Sequence, residues 1–257
     1  MLAQDRHARI LDLLEQGGSV TLPALRRVLP VTAMTLWRDL AALEAQGRLH
    51  RVRGGAVRSD RAIEPAFDQK ARHALGFKRA IAARAAAAFV ADGDVLILEG
   101  GTTVAELLPW LRRPRLTVLT NSLPILSRAH SCHRHLAVHA SGGMLSLVSG
   151  NLVGPEAVAY FQRRRARTFF MSATGLDPAT GRLTDPNPVE IEVKRAMAAA
   201  ADRVVLLLDA GKLGVVSAES VLPLRQVDAI VTDRRITAAQ RRQLGRLGPR
   251  IIVAPGK

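Results

Sequence analysis

Three short loops combine small residues with groups able to hold an anion. Glu99-Gly100-Gly101-Thr102-Thr103 reads as a strand end opening into a helix, where the glycines let the backbone come close and free amides and the helix dipole face negative charge. Thr120-Asn121-Ser122 also ends a strand and starts a helix, and it offers side-chain donors. Asp209-Ala210-Gly211-Lys212 follows the apolar run 204–208 and supplies an ammonium. Three polar loops at strand ends predict one site that binds a phosphate-bearing ligand. Thr102, Asn121 and Ser122 are also good helix N-cap types, and capping alone would account for them.

A second set of chemically active residues lies near the N-terminus. Thr32 heads a helix over 33–46 whose Leu36, Leu40 and Leu43 form one apolar stripe, while Met34 and Arg38 point the other way. Beyond Gly47, the stretch from Arg48 to Arg58 alternates apolar and polar residues around Gly54-Gly55 and contains four Arg and no acid. Two shorter helices come first. Gln4 to Gln16 places Ile10, Leu11 and Leu14 at helical spacing, and Thr21 followed by Leu22-Pro23 caps the second. Three helices and a basic hairpin make a winged helix-turn-helix, whose third helix enters the major groove of double-stranded DNA. Thr32, Thr35 and Arg38 are the candidate base contacts; Arg48, Arg51 and Arg53 are candidates for phosphates or the minor groove.

Other constellations carry less. His130, Cys132, His133, His135 and His139 crowd ten residues, but they lack the paired short spacings of a structural zinc site, and no metal is expected. Arg163-Arg164-Arg165 and Arg167 read as a solvated surface run. The net charge of +15 is not localised: the first 60 residues hold nine Arg and six acids, about the same charge per residue as the remainder. At 257 residues, 48% hydrophobic and 23% charged, the chain is globular rather than disordered or fibrous. One cysteine, no signal-peptide core and apolar runs of only strand length place it in the cytoplasm, away from membranes.

The elements that must position the anion loops alternate. Helical text over 77–89 precedes a strand at 94–99, 102–111 precedes 116–120, 122–130 precedes 136–140, and 189–201 precedes 204–208, with a late strand at 229–232. The fold class is therefore α/β: a small N-terminal winged helix-turn-helix, then a larger α/β domain with a mostly parallel sheet covered on both faces. The expected boundaries are 1–58 for the DNA-binding domain, 59–76 for a linker and 77–257 for the α/β domain.

Arg9-Ile10-Leu11, the run from Val31 to Leu40, Leu43 to Gly47 and Arg51 to Ala56 strongly resemble the N-terminal domain of DeoR-family transcriptional regulators. Trp37 departs from the family, which usually carries a second Arg there, and is expected to pack at the edge of the stripe rather than touch a base. Lys78 with its Ala-rich helix, Gly100 to Thr103, Thr120 to Ser122, Gly142-Gly143, Gly175 with Asp177, Glu190 to Met197 and Asp209 to Gly214 resemble the family's sensor domain. That domain shares its fold with ribose-5-phosphate isomerases and CoA transferases. Glu99 stands where the family commonly has Asp.

The resemblance implies a repressor of sugar-metabolism genes whose operator binding responds to a phosphorylated sugar. The Gly100-Gly101-Thr102-Thr103 loop and Lys212 would hold the phosphate, with Asn121 and Ser122 beside it, and Ser172, Gly175, Asp177 and Glu190 or Glu192 near the sugar. No cofactor is expected. The partners implied are operator DNA, the sugar phosphate and a second copy of the chain, since two winged helices reading a palindrome reinforce each other. The alternative is a sugar-phosphate isomerase-like enzyme carrying a DNA-binding arm, with Glu192 as base. Against it, Thr174-Gly175-Leu176-Asp177 lacks the first acid of the isomerases' Asp-Gly-Ala-Asp, and no Lys-Gly-Gly-Gly follows, so no catalysis is expected.

Overall fold

In the computed structural model, Leu36, Leu40 and Leu43 of the third helix meet Ile10 and Leu14 of the first and Leu25 of the second in one apolar cluster that Leu49 closes. The structure describes residues 3–17, 19–45, 48–52, 54–58, 67–133 and 135–255. The chain divides into two units, Met1–Pro65 and Ala66–Lys257.

The first unit runs α1 (Ala3–Gly17), β1 (Ser19–Thr21), α2 (Leu22–Val28), α3 (Ala33–Ala45), β2 (Leu49–Val52) and β3 (Gly55–Arg58). Thr21 caps α2 by accepting a hydrogen bond from Ala24 N at 3.3 Å, and Pro23 occupies its first turn. β2 and β3 form the expected hairpin. The short strand β1 was not foreseen; it pairs antiparallel with β3, giving the order β1-β3-β2. That pairing dictates glycine at 55, where a Cβ would lie 2.0 Å from Val20 O.

The second unit begins with α4 (Phe67–Arg72), inside the stretch read as a linker, most of whose remainder lies outside the described residues. There follow α5 (Leu75–Phe89), β4 (Val95–Leu98), α6 (Thr102–Ala105), β5 (Thr117–Thr120), α7 (Leu123–Cys132), β6 (Ala137–Ala140), β7 (Met144–Leu145), β8 (Leu152–Val153) and α8 (Pro155–Gln162). The chain continues through β9 (Thr168–Met171), β10 (Gly175–Asp177), β11 (Arg182–Asp185), α9 (Pro188–Ala199), β12 (Val204–Leu207), β13 (Glu219–Pro223), β14 (Ala229–Thr232), α10 (Ala238–Gly245) and β15 (Arg250–Val253).

Among the described residues one sheet has seven parallel strands in the order β15-β14-β12-β9-β4-β5-β6. Its inner strands β4, β9, β12 and β14 are apolar on both faces, as burial under two helical layers requires, while the edge strands β6 and β15 are partly exposed. Leu96, Leu98, Phe170, Val205 and Leu207 face a cluster with Ile81, Ala82 and Ala85 of α5. Ile97, Phe169, Met171 and Leu206 face the opposite cluster, with Phe161 of α8 and Ile191 and Met197 of α9. A fully buried side chain of this size contributes about 1.5–3 kcal/mol, so the two clusters dominate the unit's stability.

From β4 the chain steps outward to β5 and β6, then returns to β9 on β4's other side and steps away through β12, β14 and β15. Direction therefore reverses between β4 and β9. In open α/β sheets ligands collect outside the carboxyl ends of strands at such a reversal.

One expectation is corrected here, and one strand is added. The helix read over 102–111 stops at Ala105, and the chain turns through a short 3-10 segment, Leu108–Trp110, with Pro109 in its first turn. One helical turn has almost no macrodipole, so whatever the loop offers an anion comes from its amides and side chains. The central strand β9 is absent from the strands expected above. Arg163, Arg164, Arg165 and Arg167 are exposed, but Thr168 to Met171 beyond them are wholly buried.

Candidate functional site

On the first unit, α3 presents the face its spacing predicts. Leu36 and Leu40 are fully buried, Met34 is 70% exposed, and Arg38 and Thr32 are exposed. Thr32 caps α3, its Oγ1 accepting from Thr35 N at 3.2 Å and lying 3.0 Å from Thr35 Oγ1. Trp37 is half-buried and packs against the apolar cluster, away from the exposed face.

Asp39, one residue beyond Arg38, points inward and fixes the rotation of α3. It accepts from Arg6 Nε at 2.7 Å and Arg6 Nη2 at 2.9 Å, and its Oδ1 lies 3.2 Å from His7 Nε2. Burial pushes the Asp39 carboxyl up, but the bonds and charges of Arg6 and His7 prevail and hold it below the ordinary carboxylate range.

Arg48 is exposed on the hairpin. Arg51 is exposed as well, but Glu44 holds it: Arg51 Nε reaches Glu44 Oε2 at 2.5 Å, and Arg51 N donates to Glu44 Oε1 at 2.8 Å. Arg53 lies outside the described residues. Two cations were missed: Arg26 and Arg27, at the end of α2, line a hollow with Leu22, Pro23 and Ala33 at the start of α3. The paired arginines closing the helix ahead of the Thr32 cap were the available signal.

On the second unit, the loops leaving β4 and β9 meet. Glu99 Oε2 accepts from both Ser172 N and Ser172 Oγ at 3.0 Å. Their contact is so close that a Cβ at Gly101 would lie 2.0 Å from Ser172 Oγ. Behind them Lys194 of α9 is buried, with Nζ 2.5 Å from Asp185 Oδ2 and 3.2 Å from Glu99 Oε1. Burial opposes the lysine's charge, but Asp185, Glu99 and Glu190 outweigh it and hold the ammonium well above the usual lysine range. For Asp185 burial acts upward and Lys194 downward, and the carboxyl ends below its ordinary value. This half of the site is acidic around one fixed cation. Neither Lys194 nor Asp185 was singled out in the sequence, because the cluster assembles from three distant segments.

The other half is cationic. Lys212 Nζ donates to Ala173 O at 2.8 Å, just beyond β9, and Lys78 of α5 is buried with Nζ donating to Lys70 O. Burial and the nearby Lys212 and Lys70 pull Lys78 down to about 8, against the smaller upward pull of Asp209 and Glu106. Lys212 is also lowered, first by burial. Asp209 and Asp233 are tied to Arg235, whose guanidinium lies 3.8 Å from the centroid of the Phe77 ring, next to Lys78. Lys78 carries the resemblance to the sensor domain but was not among the residues read as ligand contacts.

The remaining candidates separate. Gly100, Thr102, Thr103, Asn121 and Ser122 are buried at or beside the carboxyl ends of β4 and β5, and a Cβ at Gly100 would lie 1.7 Å from Asn151 Oδ1. Ser122 Oγ caps α7 by accepting from Ile125 N at 3.4 Å. Gly175 sits where a Cβ would lie 2.0 Å from Val215 O. Asp177 turns away: its carboxylate accepts from Thr180 Oγ1 at 2.7 Å and Ala179 N at 2.9 Å, closing the hairpin turn between β10 and β11. The choice between Glu190 and Glu192 resolves by helix phase. Asn187 caps α9, which turns Glu190 and Lys194 inward, whereas the Glu192 side chain is 63% exposed and pairs with Arg195 at 2.8 Å. Glu192 therefore does not join the buried groups at the strand ends, and the isomerase-like alternative, which had it as the base, is not favoured.

A winged helix followed by an α/β unit whose buried charges gather at the sheet's reversal is the layout of a ligand-responsive DNA-binding regulator. Residues 6–62 match the family model of the DeoR-like helix-turn-helix domain, and residues 75–234 match that of the DeoR C terminal sensor domain. The HTH-type transcriptional regulator GolR of Listeria innocua is 34% identical over 93% of this chain and 94% of its own length. The HTH-type transcriptional repressor CsqR of Escherichia coli is 29% identical over 93% of this chain and 91% of its own. Among solved structures, a ribose 5-phosphate isomerase of Plasmodium falciparum is 12% identical, with a TM-score of 0.39 over 53% of this chain and 52% of that one. The chain belongs to the DeoR family of transcriptional regulators. No helix among the described residues is long and apolar enough to cross a membrane.

Proposed function

We propose that this regulator is a cytoplasmic repressor that releases its operator when the second unit binds a phosphorylated sugar. Thr32, Thr35 and Arg38 read base edges, while Arg26, Arg27, Arg48, Arg51 and Arg53 hold backbone phosphates. The sugar's phosphate lies between Lys78, Lys212 and the Gly100 to Thr103 loop, and its hydroxyls face Glu190 and Asn121. Pairs of chains occupy two half-sites of a palindrome, and the sugar phosphate acts by binding one arrangement of the pair better than the other. The ligand is sensed without turnover.

What supports this reading is the placement of two lysines: Lys212 is bonded to Ala173 O just beyond β9, and Lys78 is buried on α5, near enough for the Lys212 charge to depress it. Their charges are disfavoured by burial, and Lys78 is opposed by Lys212 as well, so a bound anion would relieve both. The CsqR relative, whose name is that of a repressor, supports the direction of regulation.

The test is operator binding by fluorescence anisotropy across a panel of pentose and hexose phosphates. One member should release wild-type protein from DNA, and in Lys212→Ala the operator complex should resist it. A panel in which no sugar phosphate alters either operator affinity or melting temperature would refute the proposal.

A further inference from the structure

The segment joining β7 to β8 brings a residue into the site that neither the loops nor the resemblance pointed to. Asn151 forms an antiparallel bridge with Ser122, and the next residue, Leu152, is bound to Asn121 on both sides: Leu152 N donates to Asn121 O at 2.6 Å, and Asn121 Nδ2 donates to Leu152 O at 3.1 Å. Asn151 Nδ2 donates to Glu190 Oε2 at 3.3 Å. Both asparagines are buried, at 2% and 3% exposure, and the Oδ1 atoms of both lack a hydrogen-bond partner among the described residues.

Neither carboxamide can turn to remedy this. A rotated Asn151 would set its oxygen against the Glu190 carboxylate, and a rotated Asn121 would set its oxygen against Leu152 O. Two acceptors are thus fixed in place beside Gly100 and Ser122, each needing a donor. Glu190, next to them, already has the charge of Lys194 nearby, so the missing donors need not be cationic.

We infer that Asn151 and Asn121 accept hydrogen bonds from neutral hydroxyl groups of the ligand, which makes Asn151 a specificity-determining residue for a polyhydroxylated rather than an alkyl phosphate. This rests on the anion site formed with Lys78 and Lys212. A buried acceptor left without its donor costs about 1–3 kcal/mol, so a ligand that fills both is preferred by on the order of tenfold or more over one that fills neither.

Ribitol 5-phosphate and pentyl phosphate share chain length and charge and differ in hydroxyls. Titration calorimetry of the full chain should show tighter binding of ribitol 5-phosphate, and Asn151→Ala should reduce that preference at least severalfold by weakening the polyol phosphate more than the alkyl one. Asn121→Ala provides the same reading should Asn151→Ala fail to fold, as judged by its melting curve. Equal affinity of wild-type protein for both probes would overturn the inference and leave the anion site standing. An equal loss of both in the variants would reduce the asparagines to a structural role and overturn it too. If neither probe binds wild-type protein, the inference is overturned, while the anion site is judged separately by the sugar-phosphate panel on operator DNA.

Discussion

The two units handle charge in opposite ways. Among its described residues the winged helix buries one carboxylate, Asp39, satisfies it with Arg6 and His7, and leaves Arg38 and Arg48 in solvent. The second unit puts Lys78, Lys194, Glu99, Asp185 and Glu190 below the surface and sets them against one another at the strand ends. Exposed cations suit a long polyanion, whose condensed counterions they release, and their grip weakens steeply with salt. Buried cations are screened little and suit a small anion that must be told apart from its neighbours.

The largest effect expected from breaking this contrast comes from Lys194→Met. It would strand Asp185 and Glu99 as buried charges and cost about 3–5 kcal/mol, read as a lowered urea midpoint in equilibrium unfolding. Arg38→Ala should cost about 1–3 kcal/mol of operator affinity with little change in melting temperature, because the side chain is in solvent on the exposed face of α3 that is proposed to read bases.

A pH series sharpens the comparison further. Burial and the Lys212 charge pull Lys78 from the ordinary 10.5 down to about 8, so below pH 8 it is charged and ready for an anion. Above pH 8 the free site has lost that proton and must recover it on binding. Phosphate affinity should then fall by about tenfold per pH unit, with proton uptake visible when calorimetry is repeated in buffers of different ionisation enthalpy. The same shift makes folding stability rise between pH 8 and 10.5, where the unfolded chain holds the proton and the native site does not. Smallest is Thr32→Ala, which removes the α3 cap at a cost of about 1 kcal/mol in thermal unfolding. A loss of operator affinity beyond that would mark a hydroxyl contact with DNA.

The first unit was almost fully legible because its signals are local: a cap, a stripe of leucines and a glycine turn fall within reach of one another in sequence. The second was legible where a strand gives way to a polar loop and obscure elsewhere. β9 is buried on both faces, so Thr168 to Met171 show no alternation to betray a strand. The Glu99, Asp185 and Lys194 cluster joins a loop, a strand end and a helix separated by tens of residues, and no spacing rule links them. Glu190 could have been separated from Glu192 by counting the helix phase from the Asn187-Pro188 start, which sets 190, 194 and 197 on one side.

β1 lies between these signals. It is three residues long, yet it ties the hairpin to the start of α2, with Leu22 N donating to Gly54 O at 2.8 Å and Gly55 pressed against Val20. The arginines ending α2 and those on the hairpin are therefore carried on one rigid frame, like the jaws of a fixed-gauge caliper. On the proposed reading, such a frame would hold the spacing between its two sets of cations fixed against the backbone of a duplex.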